Sequence, residues 1–169
     1  MTPAKLNMGS GPRSKVGFVN ADLHAMAGVD LLCNFSHFPW PFKDSVFDEV
    51  HATDVIEHLP DTVRVMEEIH RVTRPGARIV IKVPHYKHAN AFKDPTHVRF
   101  FTEGSFDYFG KNEYSYYTKA RFNILSVEKI HEYHIGKYVK RLFPRLLPWV
   151  ERYLDQTVES LVFTLQTVK

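Results

Sequence analysis

Two short apolar runs near the start of this chain, Lys5 to Met8 and Val16 to Ala21, are separated by only about eight residues, which open on Gly9-Ser10-Gly11. A crossover between parallel strands normally needs a dozen residues or more, usually with a helix. Either these strands do not form a standard unit, or their crossover has little or no helix. We take the second reading. It predicts a first crossover helix that is reduced or missing, and a ligand cleft without an N-terminal cover.

Further apolar runs follow at Val29 to Cys33, Phe47 to Ala52 and Ala77 to Val83, with two late ones at Asn123 to His131 and Ser160 to Lys169. One helix is clear between them. It spans roughly Asp61 to Val72, with Asp61 as N-cap and Val65, Ile69 and Val72 on one stripe, and Arg74-Pro75-Gly76 stops it. Strands alternating with helical patterns point to an α/β fold with a mainly parallel sheet. At 169 residues the chain fits a single domain, 1–169, with room for a helical excursion over 136–157 between the last two strands.

Composition excludes some classes. A net charge of +3 is too weak to argue for nucleic acid, and no apolar run approaches the ~20 residues that a membrane span requires. The single cysteine, Cys33, can form no internal disulfide and suits a reducing cytoplasm, and a strand so near the start leaves no room for a secretory signal.

In parallel α/β sheets ligands collect at the carboxyl ends of the strands. Those ends carry Gly9, Ser10 and Gly11, then Asp22, then Asn34, then Thr53 and Asp54. Glycines admit a close backbone approach, a carboxylate can accept both hydroxyls of a ribose, and an asparagine can pair with an adenine edge. Ser14 stands where the third glycine of a dinucleotide fingerprint would be, and Asp22 follows Gly11 by eleven residues rather than ~20. No phosphate-binding G-x-x-x-x-G-K-[ST] loop occurs either. The set therefore suits an adenosyl cofactor without a phosphate cradle.

These residues resemble the class I S-adenosylmethionine-dependent methyltransferases, in particular a small single-domain, type 11-like group. The likeness rests on Leu6-Asn7-Met8-Gly9-Ser10-Gly11, Asn20-Ala21-Asp22, Pro39-Trp40-Pro41-Phe42-Lys43-Asp44-Ser45-Val46-Phe47-Asp48, Val55-Ile56-Glu57-His58-Leu59 and Glu68 to Gly76. It implies a Rossmann-like mixed sheet of about seven strands, the last inserted antiparallel beside the fifth. It also implies S-adenosylmethionine as cofactor. Gly9 and Gly11 would lie against its methionine part, Asp22 on the ribose hydroxyls, Asn34 and Phe35 at the adenine, and the Thr53 carbonyl near the amino group. Asn7, Met8, Ser10 and Leu23 complete the expected cofactor set. Asn34 stands where the group usually has an aspartate, so weaker adenine binding through its side-chain oxygen is expected.

The acceptor side should come from Pro84-His85-Tyr86-Lys87-His88 and Asp94-Pro95-Thr96-His97-Val98-Arg99. Methyl transfer from a sulfonium needs positioning and desolvation, and a hydroxyl acceptor also gains from a general base. His85 is the first candidate for that base, followed by Asp54 and His58. Tyr86, His88, His97 and Arg99 are the candidate substrate contacts. Plainer readings stand beside these: His58 packing near the Asp61 helix, and His97 and Arg99 bracing their loop against Asp94. His85, His88, Asp94 and His97 also form a mixed nitrogen and oxygen set. Their spacing matches no recognised metal motif, so no metal is expected.

A small molecule with a hydroxyl or amine, such as a sugar or glycan precursor, is the expected partner. The alternatives are a non-catalytic module of the same fold and a nucleic-acid methyltransferase. Residues 136–154 mix basic and apolar side chains. They are expected to pack on the sheet or on a second copy of the chain, with contact to an anionic membrane surface as the other reading.

Overall fold

Seven strands build the core: β1 (Lys5–Met8), β2 (Val19–Asp22), β3 (Leu31–Leu32), β4 (Phe47–Thr53), β5 (Thr73–Pro84), β6 (Arg121–Ile130) and β7 (Ser160–Val168). In the computed structural model, which describes residues 4–110, 116–131 and 134–169, they form one sheet in the order β3-β2-β1-β4-β5-β7-β6. The first five run parallel, and β7 is antiparallel to both β5 and β6, as the resemblance implied. Chain order reverses between β1 and β4, which opens a crevice at the strand ends.

The crossover from β1 to β2 contains turns and no helix. Two asparagines hold it instead. Asn7 Nδ2 donates to Asn20 Oδ1 at 2.9 Å and to the Arg13 carbonyl at 3.1 Å, and Asn20 Oδ1 also accepts from the Lys15 amide at 2.7 Å. Gly17 has a φ of 79° and Val16 is fully exposed, so β2 starts at Val19 and not at Val16. At the sheet edge β3 keeps only two residues, and β5 begins early because Thr73 already pairs with Phe47.

The two faces of the sheet differ sharply. Leu6, Met8, Val50, Ala52, Ile79 and Ile81 are fully buried on one face. Against them packs α1 (Thr62–Val72), whose N-cap Asp61 accepts from the Arg64 amide at 3.0 Å and whose Val65, Ile69 and Val72 are fully buried. The alternate positions carry Lys5, Asn7, Glu49, His51, Arg78 and Lys82. Lys5 pairs with Glu49 at 2.8 Å, His51 Nε2 lies 2.8 Å from the same carboxylate, and Lys15 Nζ lies 2.6 Å from His51 Nδ1. A parallel sheet wrapped by helices on both faces shows continuous apolar runs, whereas this alternation suits one wet face. The missing helix and the polar strand positions therefore have one cause.

The segment from Phe38 to Phe42 is fixed by α1. Arg71 donates to the Trp40 and Phe42 carbonyls and to both oxygens of Glu68, and Glu68 Oε2 accepts from the Trp40 amide at 2.6 Å. Trp40 in turn holds Phe35, edge to face at 5.0 Å and through an indole N–H to the Phe35 carbonyl.

Beyond β5 lie two single-turn helices, α2 (Asn90–Lys93) and α3 (Asp107–Gly110); α4 (His134–Leu142) and α5 (Leu147–Tyr153) connect β6 to β7. Of the apolar side chains described on this last excursion Val150 is buried, but Leu142 and Trp149 are each 61% exposed, and Tyr138, Phe143 and Tyr153 are comparably bare. The expected packing of this face on the sheet does not occur. Pro144 and Pro148 each open a new short helical piece and so divide the segment.

Candidate active site

Two cavities meet over the carboxyl ends of β1, β4 and β5. The first, about 530 Å³, is lined by Gly9, Gly11, Asp22, Leu23, Asn34 and Phe35, together with Arg13, Asp54 and His58. Gly9 has a φ of 61°, and a Cβ there would come within 2.4 Å of Val55 Cγ2, so only glycine fits. Asp22 is nearly buried at the end of β2. Its Oδ2 accepts from the Gly11 amide at 2.8 Å and its Oδ1 from the His24 amide at 2.9 Å. A carboxylate has about four lone-pair sites, so each oxygen retains one for a ribose hydroxyl. Burial pushes the Cys33 thiol in this wall up to about 11, which keeps it unreactive.

Asn34 reaches the same cavity, but its Oδ1 already accepts from the Ser36 amide at 2.9 Å. Its NH2 group is therefore the freer edge, better suited to donate to an adenine ring nitrogen than to accept from the amino group. Asn7, Met8 and Ser10, expected at the cofactor, are buried behind the wall: Asn7 staples the loop, Met8 belongs to the core, and the Ser10 amide bonds the Ala21 carbonyl. Thr53 also lies off the wall. The next residue, Asp54, turns out at a φ of 55° and takes its place.

The second cavity, about 610 Å³, shares Arg13, Asp54 and His58 with the first. Its other walls include Glu57, Lys82, Asn90, Lys93, Asp94 and His97. Arg13 pairs with Asp54 at 3.3 Å across the junction. The loop that carries His97 is tied to the base of this cavity, since the Val98 and Arg99 amides donate to the Glu57 carbonyl at 2.9 and 3.1 Å.

His85 does not reach either cavity. Lys82 and Pro84 face the second cavity, so alternation along the strand sends His85 to the opposite face. It is buried there with Nε2 3.6 Å from Glu103, in a separate cavity of about 290 Å³ that also takes Tyr86. His88 is buried, with Nδ1 accepting from the Asn90 amide, and Arg99 bonds the Pro60 carbonyl. Of the expected acceptor residues, Asp54, His58 and His97 therefore come together. The His97 and Arg99 side chains are held by the Ala91 and Pro60 carbonyls, while Asp94 braces the loop by accepting from the His97 amide at its carbonyl, at 3.2 Å, and from Thr96 at its carboxylate.

Glu57 is the residue that sequence reasoning missed. It sits inside a motif quoted for its family likeness, and only its position on the 3-10 turn Ile56–His58 shows that its side chain turns inward. It is 1% exposed, and burial pushes its carboxyl up to about 7. Burial, and His97 beside it, hold the His58 imidazole below its usual range.

Residues 11–81 match the family model of a methyltransferase domain. A stretch of 58 residues is 40% identical to cycloartenol-C-24-methyltransferase of Arabidopsis thaliana, covering 32% of this chain and 17% of that enzyme. The matched stretches span under a quarter of the length of these curated relatives. Among solved structures, the whole chain superposes on 49% of phosphoethanolamine N-methyltransferase 2 of Haemonchus contortus, crystallised with S-adenosyl-L-methionine, with a TM-score of 0.64 at 15% identity. A methyltransferase from Archaeoglobus fulgidus gives a TM-score of 0.62 at 15% identity, over 97% of this chain and 86% of that one. Residues 11–81 thus match a methyltransferase domain, and the sheet order with its strand-end glycines and carboxylate is consistent with the class I S-adenosylmethionine-dependent methyltransferases, type 11-like.

Proposed function

We propose that this protein transfers the methyl group of S-adenosylmethionine to a hydroxyl of a small polar molecule. The observation that carries this reading is the shared wall: Arg13, Asp54 and His58 border both the cofactor cavity and its neighbour, where a methyl group would cross. In the transfer the acceptor O–H bond breaks and a bond forms to the methyl carbon. The S–CH3 electron pair stays on sulfur as a neutral thioether. Asp54 takes the hydroxyl proton. The acceptor cavity is walled by Lys82, Lys93, Asn90 and Asp94, which suits a sugar-like acceptor better than a flat apolar one such as cycloartenol. Incubation with labelled S-adenosylmethionine and candidate nucleotide sugars should label the sugar. Label found only in protein or RNA would overturn the reading. Asp54→Asn keeps the shape and is expected to lower kcat by about 10²–10⁴-fold, the usual contribution of a positioned base, while cofactor affinity changes little.

We also infer that α4 and α5 rest on an anionic lipid surface. Their bare apolar side chains are interleaved with Lys137, Lys140, Arg141, Arg145 and Arg152, and that pairing of charge with apolar area fits lipid headgroups. The segment is also tied to the acceptor side, because Lys87 Nζ donates to the Arg152 carbonyl at 2.8 Å and the Ala89 amide donates to Gln156 at 3.0 Å. Flotation with phosphatidylserine vesicles at low salt should carry the protein upward, and Trp149→Ser with Leu142→Ser should leave it at the bottom. Equal flotation with neutral vesicles, or none with either, would refute the inference.

A further inference from the structure

Glu57 poses a problem that cofactor and acceptor binding do not solve. Its two carboxylate oxygens are buried without a hydrogen-bond partner among the described residues, at the wall of the acceptor cavity. Buried carboxylates are normally paired or bound to a metal.

Two imidazoles stand beside it. The ligand atoms of Glu57, His58 and His97 lie within 4.8 Å of one another, and the two rings meet edge to face with centroids 4.6 Å apart. Their hydrogen bonds fix both tautomers. His97 Nδ1 lies 3.0 Å from the Ala91 carbonyl, which can only accept, so Nδ1 carries the proton. His58 Nδ1 lies 2.8 Å from Thr96 Oγ1, and that hydroxyl gives its one hydrogen to Asp94 Oδ1 at 2.6 Å. The hydroxyl must therefore accept, and Nδ1 of His58 carries a proton too. In each neutral ring the lone pair is left on Nε2. A ring nitrogen donating to a carbonyl, or through a hydroxyl to a carboxylate, is how metal-binding imidazoles are oriented.

We propose that a Glu57 carboxylate oxygen and the Nε2 atoms of His58 and His97 hold a divalent transition-metal ion whose open positions face the acceptor cavity. Two imidazoles in a set of three favour zinc, iron or cobalt over magnesium, calcium or manganese. Three protein ligands leave room for a further one, as in catalytic zinc sites. If the acceptor reading above holds, that ligand is the acceptor hydroxyl oxygen, which the ion positions and acidifies before its proton passes to Asp54. Of the mixed set considered from sequence, only His97 takes part, because His85 lies in another cavity.

The test is metal binding itself, with the purified full chain stripped by chelator and titrated with Co²⁺. A visible d–d band saturating at one ion per chain is expected. His97→Ala and Glu57→Gln should each weaken binding by about 100-fold or more, beyond the 10- to 100-fold typical of losing only a supporting contact. Thermal unfolding checks that both variants fold, and Co²⁺ should raise the midpoint of the parent but not of either variant. No saturable band, or a band unchanged in His97→Ala, would overturn the proposal. The methyl-transfer reading is judged separately. Activity without metal binding would leave that reading standing and remove the ion, and metal binding without any labelled acceptor would do the reverse.

Discussion

Asp22→Ala is expected to weaken S-adenosylhomocysteine binding by about 10²–10³-fold in a calorimetric titration. In the ribose assignment each hydroxyl would donate to a charged oxygen, and such bonds are worth about 1.5–3 kcal/mol each. Two of them, less some solvent compensation, give roughly 3–4 kcal/mol, at about 1.4 kcal/mol per tenfold. The same carboxylate also accepts from the Gly11 and His24 amides, so the variant should lose about 1–2 kcal/mol of stability as well. Asp22→Asn separates the two effects. It retains one acceptor oxygen but sets an NH2 group against an amide donor, and should fall between the parent and the alanine variant. An affinity within a factor of about three of the parent in Asp22→Ala would remove the ribose assignment.

Gly9→Ala should be the most damaging single methyl group that can be added to the cleft. A φ of 61° is a left-handed conformation, costing an L-residue about 1–2 kcal/mol, and the new Cβ would lie 2.4 Å from Val55 Cγ2. Overpacking of that kind costs about 1–3 kcal/mol more. A loss of about 3 kcal/mol corresponds to roughly 6–12 °C in melting temperature for a chain of this size. Val55→Ala tests the cause. The clash disappears in the double variant but the strain does not, so the two substitutions should be non-additive by about 1–2 kcal/mol. Strict additivity would mean that the loop simply moves aside.

Much of this architecture could be read from residue order. The Asp61 cap, the Val65, Ile69 and Val72 stripe and the missing first helix all follow from local spacing, which decides helix and crossover alike. The wet face was equally available, in the alternation of Lys5-Leu6-Asn7-Met8 and of Arg78 to Lys82. The lining of the cavity at the strand ends was half legible. Gly9, Gly11, Asp22, Leu23, Asn34 and Phe35 reach the cavity because strand ends converge there whatever the side chains. Asn7, Met8 and Ser10 sit on the same peptide, yet it turns them inward. The acceptor side was read least well, because proximity in sequence does not fix which way a side chain points. His85 lies one residue past Pro84 and so falls on the wrong face, whereas Glu57 and His97, forty residues apart, converge only through the backbone bonds from Val98 and Arg99 to the Glu57 carbonyl.

The loops that replace helices above β1 and β2 make the ligand a structural component. Residues 9–18 and 23–30 bury little apolar surface, with Val16, Leu23 and Met26 exposed, and Asp22 tethers the Gly11 and His24 amides through single bonds. A bound nucleoside would supply the packed layer that a helix provides elsewhere. At a hundred times its dissociation constant, such a ligand adds about 2.7 kcal/mol to stability. The unfolding midpoint of this chain should therefore rise with the concentration of its methyl donor.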